Sequence, residues 1–258
     1  MLKKSIVPLL IAGALSTSVT VGAEPAVDAI NAKASLIVGS DEVSLVDVNL
    51  TLPVTHAIGA QVDIASGNHE LGNVSAVSGH LFWRDPSSAL LGVIASWHSF
   101  ELIDNRRIAL QGEKFLNDIT LRAIAGYESS KAEEAGHSDT IEDAYGKFKA
   151  TWYPQNNLAL YTKLNQHHER TGGGIGAEWQ AGYSANIGYS LFAELDHTEG
   201  EGNRGLVGIR FYFDGGKSLI QRHRSADPDS GNDFWNNNTS PMCDGSAASR
   251  AFYPGICG

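Results

Sequence analysis

No stretch of this chain after residue 15 holds the roughly 18 consecutive apolar residues that a membrane-spanning helix needs. Bases are scarce: 19 Lys and Arg stand against 29 Asp and Glu, and the net charge of −10 makes the chain a poor partner for nucleic acid. There are two cysteines, Cys243 and Cys257, both within the last sixteen residues, so no CxxC pair occurs. HExxH is also missing, and no metal site or cofactor is expected.

The first residues read as an export signal. Lys3 and Lys4 precede an apolar core at 6–15, too short to span a bilayer, and Val21-Gly22-Ala23 supplies small residues before a cut ahead of Glu24. Cleavage would take the charge from −10 to −12, because two lysines go and no acid goes with them. In an exported chain, a Cys243–Cys257 disulfide is the simple expectation.

The mature chain is dominated by alternation with period two, as in Val46-Asp47-Val48-Asn49-Leu50-Thr51-Leu52. Each such run has one apolar and one polar face. Runs fall near 34–39, 43–52, 58–65, 74–83, 90–98, 107–115, 119–127, 144–153, 158–165, 175–179, 187–196 and 206–213. Twelve of them behind an export signal predict an all-β fold: a transmembrane antiparallel up-and-down β-barrel of about 12 strands, since only helices and closed barrels satisfy their backbone in lipid.

Connections alternate in character. Turns such as Arg84-Asp85-Pro86-Ser87 and Pro154-Gln155-Asn156-Asn157 are short, whereas 129–143, 166–174 and 198–204 read as longer loops on the opposite side. Trp83, Phe115, Trp152, Tyr153, Trp179 and Phe213 sit where short turns begin, as an interfacial aromatic girdle would. The implied organisation is a signal at 1–23, an N-terminal periplasmic segment at 24–33, a barrel in the outer membrane at 34–213, and at 214–258 a loosely ordered periplasmic tail with a disulfide loop, the alternatives being an ordered flap under the barrel mouth and an anchor to anionic lipid or cell wall.

Parity sorts the charges. With Val46, Val48, Leu50, Ile119, Phe148, Leu160 and Leu164 toward lipid, the opposite parity puts Asp47, Asp63, Glu113, Glu128, Glu178, Glu194 and Asp196 inside. Arg84, Arg107, Arg122, Lys147, Lys149, Lys163 and Arg210 join them, while a base facing mid-membrane lipid would cost about 2–4 kcal/mol. Arg122, Lys147, Lys149 and Lys163 form a basic ladder that could face an acidic one of Glu178, Glu194 and Asp196. Two uses of the lumen stay open. The charges pair into a bracing network that narrows or plugs the barrel, or they line a water-filled path for small polar solutes.

Other groups carry little chemistry. Ser78 with His80 and Ser96 with His98 share the inward parity, which keeps a barrel-embedded lipid hydrolase as a further alternative, but no orienting acid or oxyanion donors are visible and no catalytic residue is assigned. His167-His168-Glu169 reads as an outer-loop feature, and Gly172-Gly173-Gly174-Ile175-Gly176 as a flexible outer loop entering a strand. Asn237 and Asn238 each open an N-x-[ST] pattern in the tail and read as chance.

Two blocks, His80-Leu81-Phe82-Trp83-Arg84-Asp85-Pro86 and Gly208-Ile209-Arg210-Phe211-Tyr212-Phe213 followed by Gly215-Gly216-Lys217-Ser218-Leu219-Ile220-Gln221-Arg222-His223-Arg224, give the chain a resemblance. It resembles a group of uncharacterised Gram-negative outer-membrane barrel proteins. The second block is similar to the terminal-strand signal read by outer-membrane insertion machinery. The resemblance implies a fold and a compartment and no activity; outer-membrane lipid and that insertion machinery are the expected partners.

Overall fold

A computed structural model describes residues 24–230 apart from 41, 70–71, 101–102, 135–136, 168–169, 185, 200–201 and 214. The Cys243–Cys257 pair and the two N-x-[ST] patterns lie outside these residues. Twelve strands follow one another: β1 (Asn31–Gly39), β2 (Ser44–Pro53), β3 (Ile58–His69), β4 (Gly72–Asp85), β5 (Ala89–Phe100), β6 (Ile103–Leu116), β7 (Ile119–Glu134), β8 (His137–Gln155), β9 (Leu158–His167), β10 (Arg170–Ser184), β11 (Ile187–Thr198) and β12 (Gly202–Tyr212). Each pairs antiparallel with its sequence neighbour, and β1 pairs with β12, from Lys33 opposite Tyr212 to Gly39 opposite Leu206. The sheet closes and leaves no edge.

Strand β2 shows why the chain folds this way. Leu45, Asp47, Asn49 and Thr51 turn into the barrel and are buried, while Val46, Val48 and Leu50 stand on its outer surface. In water such an outward row would be unfavourable; against hydrocarbon it is the favoured arrangement. The same parity leaves Ile108, Tyr127 and Leu195 outside at more than 60% exposure.

Two sequence expectations change. The segments read as long loops are strand: β7 runs to Glu134 with β8 starting at His137, β9 and β10 cover most of 166–174, and β11 and β12 cover most of 198–204. Acids, histidines and glycines had suggested loops there, but hairpin pairing satisfies their backbone equally well. Connections are therefore two to four residues long at both ends of the barrel. The girdle is also reduced, for Trp152, Trp179 and Phe213 lie outside whereas Phe115 and Tyr153 are buried inside.

The largest departure follows β12. Residues 215–230, read as part of an external tail, fold back into the mouth where the chain enters and leaves the barrel. One turn of α-helix, α1 (Leu219–Gln221), runs into a π-helical turn (Arg222–Ala226), and Leu219, Arg222, Ala226 and Asp227 are buried. Residues Ala26 and Val27, ahead of β1, tuck into the same mouth. This is called the terminal end below, and the opposite rim the far end.

Candidate functional site: the lumen and its re-entrant segment

The site is built layer by layer from the terminal end. An apolar floor is made by Val27, Phe82, Leu90 and Phe115 on one side and by Tyr153, Ala159, Tyr212 and Leu219 on the other. Three arginines fix the re-entrant segment to this floor. Arg84 Nε donates to the Ala26 carbonyl at 2.6 Å, and its Nη2 donates to the carbonyls of Ser225 and Ala226 at 3.2 and 3.0 Å, so both termini hang on one wall side chain. Arg222 Nε donates to Gln180 Oε1 at 3.0 Å and the guanidinium lies over the Tyr212 ring. Arg224 donates to the carbonyls of Asn117 and Ile119 in the β6–β7 turn. Buried guanidinium groups need such acceptors, since an unmet donor there costs about 1–3 kcal/mol.

Ion pairs continue the attachment around the wall. Lys33 on β1 pairs with Asp227. Asp229 reaches Arg122 Nη1 at 3.2 Å and Lys149 Nζ at 2.8 Å, and Arg122 Nη2 also donates to the Asp229 carbonyl. The ring nitrogens of His223 meet the Tyr153 hydroxyl at 3.0 Å and a Glu178 oxygen at 3.7 Å. Burial would raise the Asp229 carboxyl, but Lys149 and Arg122 outweigh it and hold it well below the usual carboxylate range. For His223 burial dominates, and its pKa is lowered although Glu178 pulls the other way.

Beyond that segment the wall satisfies itself. Asp63 accepts from Asn49, Gln61 and Ser78 and meets His80 at 2.8 Å. Ser78 and His80 thus both address one carboxylate and not each other, which is no nucleophile–base pair. Arg107 pairs with Glu128, which His167 also meets at 3.1 Å. Arg210 pairs with Glu178, which accepts from Ser190 and Tyr212 as well. Glu113 lies 3.4 Å from Arg122. Asp47, Lys147 and Asn165 line the cavity described below.

All fourteen charged side chains expected in the lumen are placed inside; Arg122, Lys149 and Lys163 do stand side by side, but the acids do not form a ladder apart from them. Lys163 on β9 reaches over β10 to pair with both Glu194 and Asp196 on β11, and the Tyr161 hydroxyl donates to Glu194 at 2.7 Å. That reach depends on glycine. Gly174 stands opposite Lys163 on one side and Asp196 on the other, and a Cβ there would lie 1.8 Å from Asp196 Oδ1. Gly176 does the same for Tyr161 and Glu194. Gly174, which read as loop, is thus an inward position of the same strand as Gly176, and their spacing of two was the signal for it.

The interior is also less polar than expected. Ile37, Leu45, Val74, Phe100, Ile103, Phe192 and Leu206 form an inward apolar cluster toward the far end. Beside this cluster lies a cavity of about 110 Å³, lined by Arg122, Lys149, Lys163, Glu194, Asp229 and others, and reaching Thr198 at the end of β11. Among the described residues no group of three or more His, Cys, Asp or Glu side chains could hold a metal ion.

No protein-family model matches this chain, and no curated protein matches it in sequence. Among solved structures it is similar to an outer membrane channel from Pseudomonas putida F1, with TM-score 0.52 and 10% identity over 76% of this chain and 99% of that one. It is also similar to the KdgM porin in complex with disordered oligogalacturonate, with TM-score 0.49 and 11% identity over 70% of this chain and 97% of that one. At such identity the likeness is one of fold, a closed antiparallel barrel.

Proposed function

We propose that this chain is a non-enzymatic component of the outer membrane, exported through a cleaved signal, whose narrow lumen is closed by its own residues 215–230. The observation that carries the reading is the set of contacts from Lys33, Arg84, Arg122, Lys149 and Gln180, on five different strands, onto this segment. A loose tail would need none of them. Each wall charge it meets is one that would otherwise face water in an open bore, so closure and bracing come from the same bonds. The outward Val, Leu and Ile rows and the fold shared with an outer membrane channel support the compartment. The terminal end is then the periplasmic one. A small-solute channel is the second reading, favoured by the cavity beyond Asp229. Planar-bilayer recording on the full chain tests the proposal: little steady current is expected, and an ohmic current in simple salt overturns it.

A further inference from the structure

Strand register places three cations side by side. Arg122 on β7 stands directly opposite Lys149 on β8, and Lys149 directly opposite Lys163 on β9. Like charges in directly paired positions repel, so each needs an acid from elsewhere. Arg122 has Glu113, its partner on β6, at 3.4 Å. Lys163 has Glu194 and Asp196, reached across the β10 glycines. Lys149, the middle one, has the face of Tyr161 at 4.1 Å and the carboxylate of Asp229, which belongs to the re-entrant segment and not to the wall.

We infer that the Arg122–Lys149 pair is a subsite for the carboxylate of a small acidic solute, and that Asp229 occupies it as an internal stand-in. With Asp229 seated, two cations face two carboxylates, Glu113 and Asp229. Without it Lys149 loses the carboxylate at ion-pair distance and keeps the face of Tyr161, and an external anion takes the vacated place between Lys149 and Arg122. The cavity of about 110 Å³ borders both Lys149 and Asp229, so a solute reaches the subsite without crossing the floor. That space has room for several waters or a short carboxylate. Entry of such a solute displaces Asp229 and loosens the segment that closes the barrel. The inference rests on the proposed closure for its consequence, and on register and ion pairs for the subsite itself.

The test uses the full chain in detergent at low salt, with malonate as probe and calorimetric titration as readout. Asp229→Asn is expected to bind malonate at least about tenfold more tightly than wild type, because the competitor is gone, and the Asp229→Asn/Lys149→Met double variant is expected to lose that gain. Heat-modifiable gel mobility verifies that each variant is folded; if Asp229→Asn fails to fold, Asp229→Ser is titrated in its place. Equal binding by wild type and the Asp229 variant, binding that survives Lys149→Met, or no binding by any folded variant overturns the subsite. Conductance separates this from the closure itself: steady current through the wild type without malonate sinks the closure while a positive titration leaves the subsite standing.

Discussion

The two halves of the lumen hold their charges differently. Toward the far end, wall groups meet wall groups: Arg107 pairs with Glu128, Lys163 with Glu194 and Asp196, and an apolar cluster around Phe100 and Leu206 packs beside the open cavity. At the terminal end the wall instead meets another part of the chain, often through its backbone, as where Arg84 binds three carbonyls. The first arrangement is a property of the barrel and survives as long as the barrel does. The second can be undone while the barrel stays closed, because removing residues 215–230 breaks no strand pairing. A brace and a stopper are thus built from the same residue types, and what distinguishes them is who supplies the partner.

The sharpest way to break the comparison is to damage each half alone. Arg107→Met leaves Glu128 buried beside His167 without its guanidinium, and breaking such a pair from one side costs about 3–5 kcal/mol. We expect a lower unfolding temperature in detergent with the lumen still closed in bilayer recordings. Arg84→Met should do the reverse. It removes one hydrogen bond to Ala26 and two to the re-entrant segment, costing about 1–3 kcal/mol, and most of that cost falls on the seating of the segment. Limited proteolysis should then cut after residue 214 faster than in wild type, with unfolding temperature little changed. If Arg84→Met lowers barrel stability as much as Arg107→Met does, the distinction between brace and stopper fails.

The same division decides what could be read in the sequence. Strand number, closure and the inward parity of Asp63, Glu113, Arg122 and Glu178 follow from a period of two, which needs no knowledge of partners. Parity even placed Phe115 beside Glu113, two positions away on the inward face, although its position at a turn had suggested the membrane interface. Partners across the lumen were not legible, because a charge two strands away is reached only where intervening side chains are small, and Gly174 had read as loop just ahead of the strand that holds Gly176. Nor was the stopper. Its eight-residue helical stretch, 219–226, is too short to be stable alone and is held by the wall it enters, so nothing local marks it as ordered.

Gly174→Ala sharpens the far-half side of the comparison. The added Cβ stands where Asp196 Oδ1 lies, 1.8 Å away, and the carboxylate must swing off Lys163. Glu194 remains as a partner, but the Cβ also stands 2.8 Å from the Leu195 carbonyl, so one arm of a shared pair is lost and the backbone must shift, about 1–3 kcal/mol together, and closure should be unaffected. A thermal scan showing no change would mean that the Lys163–Asp196 arm contributes nothing.

The smallest expected effect concerns pH, and it belongs to the stopper alone. His223 is seated between Tyr153 and Glu178 with Asp229 and Lys149 nearby, and burial lowers its pKa below the ordinary histidine value. Its neutral form is therefore the one the seated segment prefers. The sign follows: the contribution of His223 to seating is complete above about pH 6.5, the free-histidine value, and is lost as the pH falls below it. Asp229 works in another window, since its pKa is lowered: its contribution is held above about pH 3.9 and disappears only as the pH drops well below that. Between pH 7.5 and 5.5, then, Asp229 stays ionised and His223 is the group that changes. Proteolytic cutting after residue 214 should quicken modestly across that interval in wild type, and His223→Gln should flatten the profile while Arg107→Met leaves its shape intact. A wild-type profile that is flat, or one that His223→Gln leaves unaltered, would remove His223 from the seating of the segment.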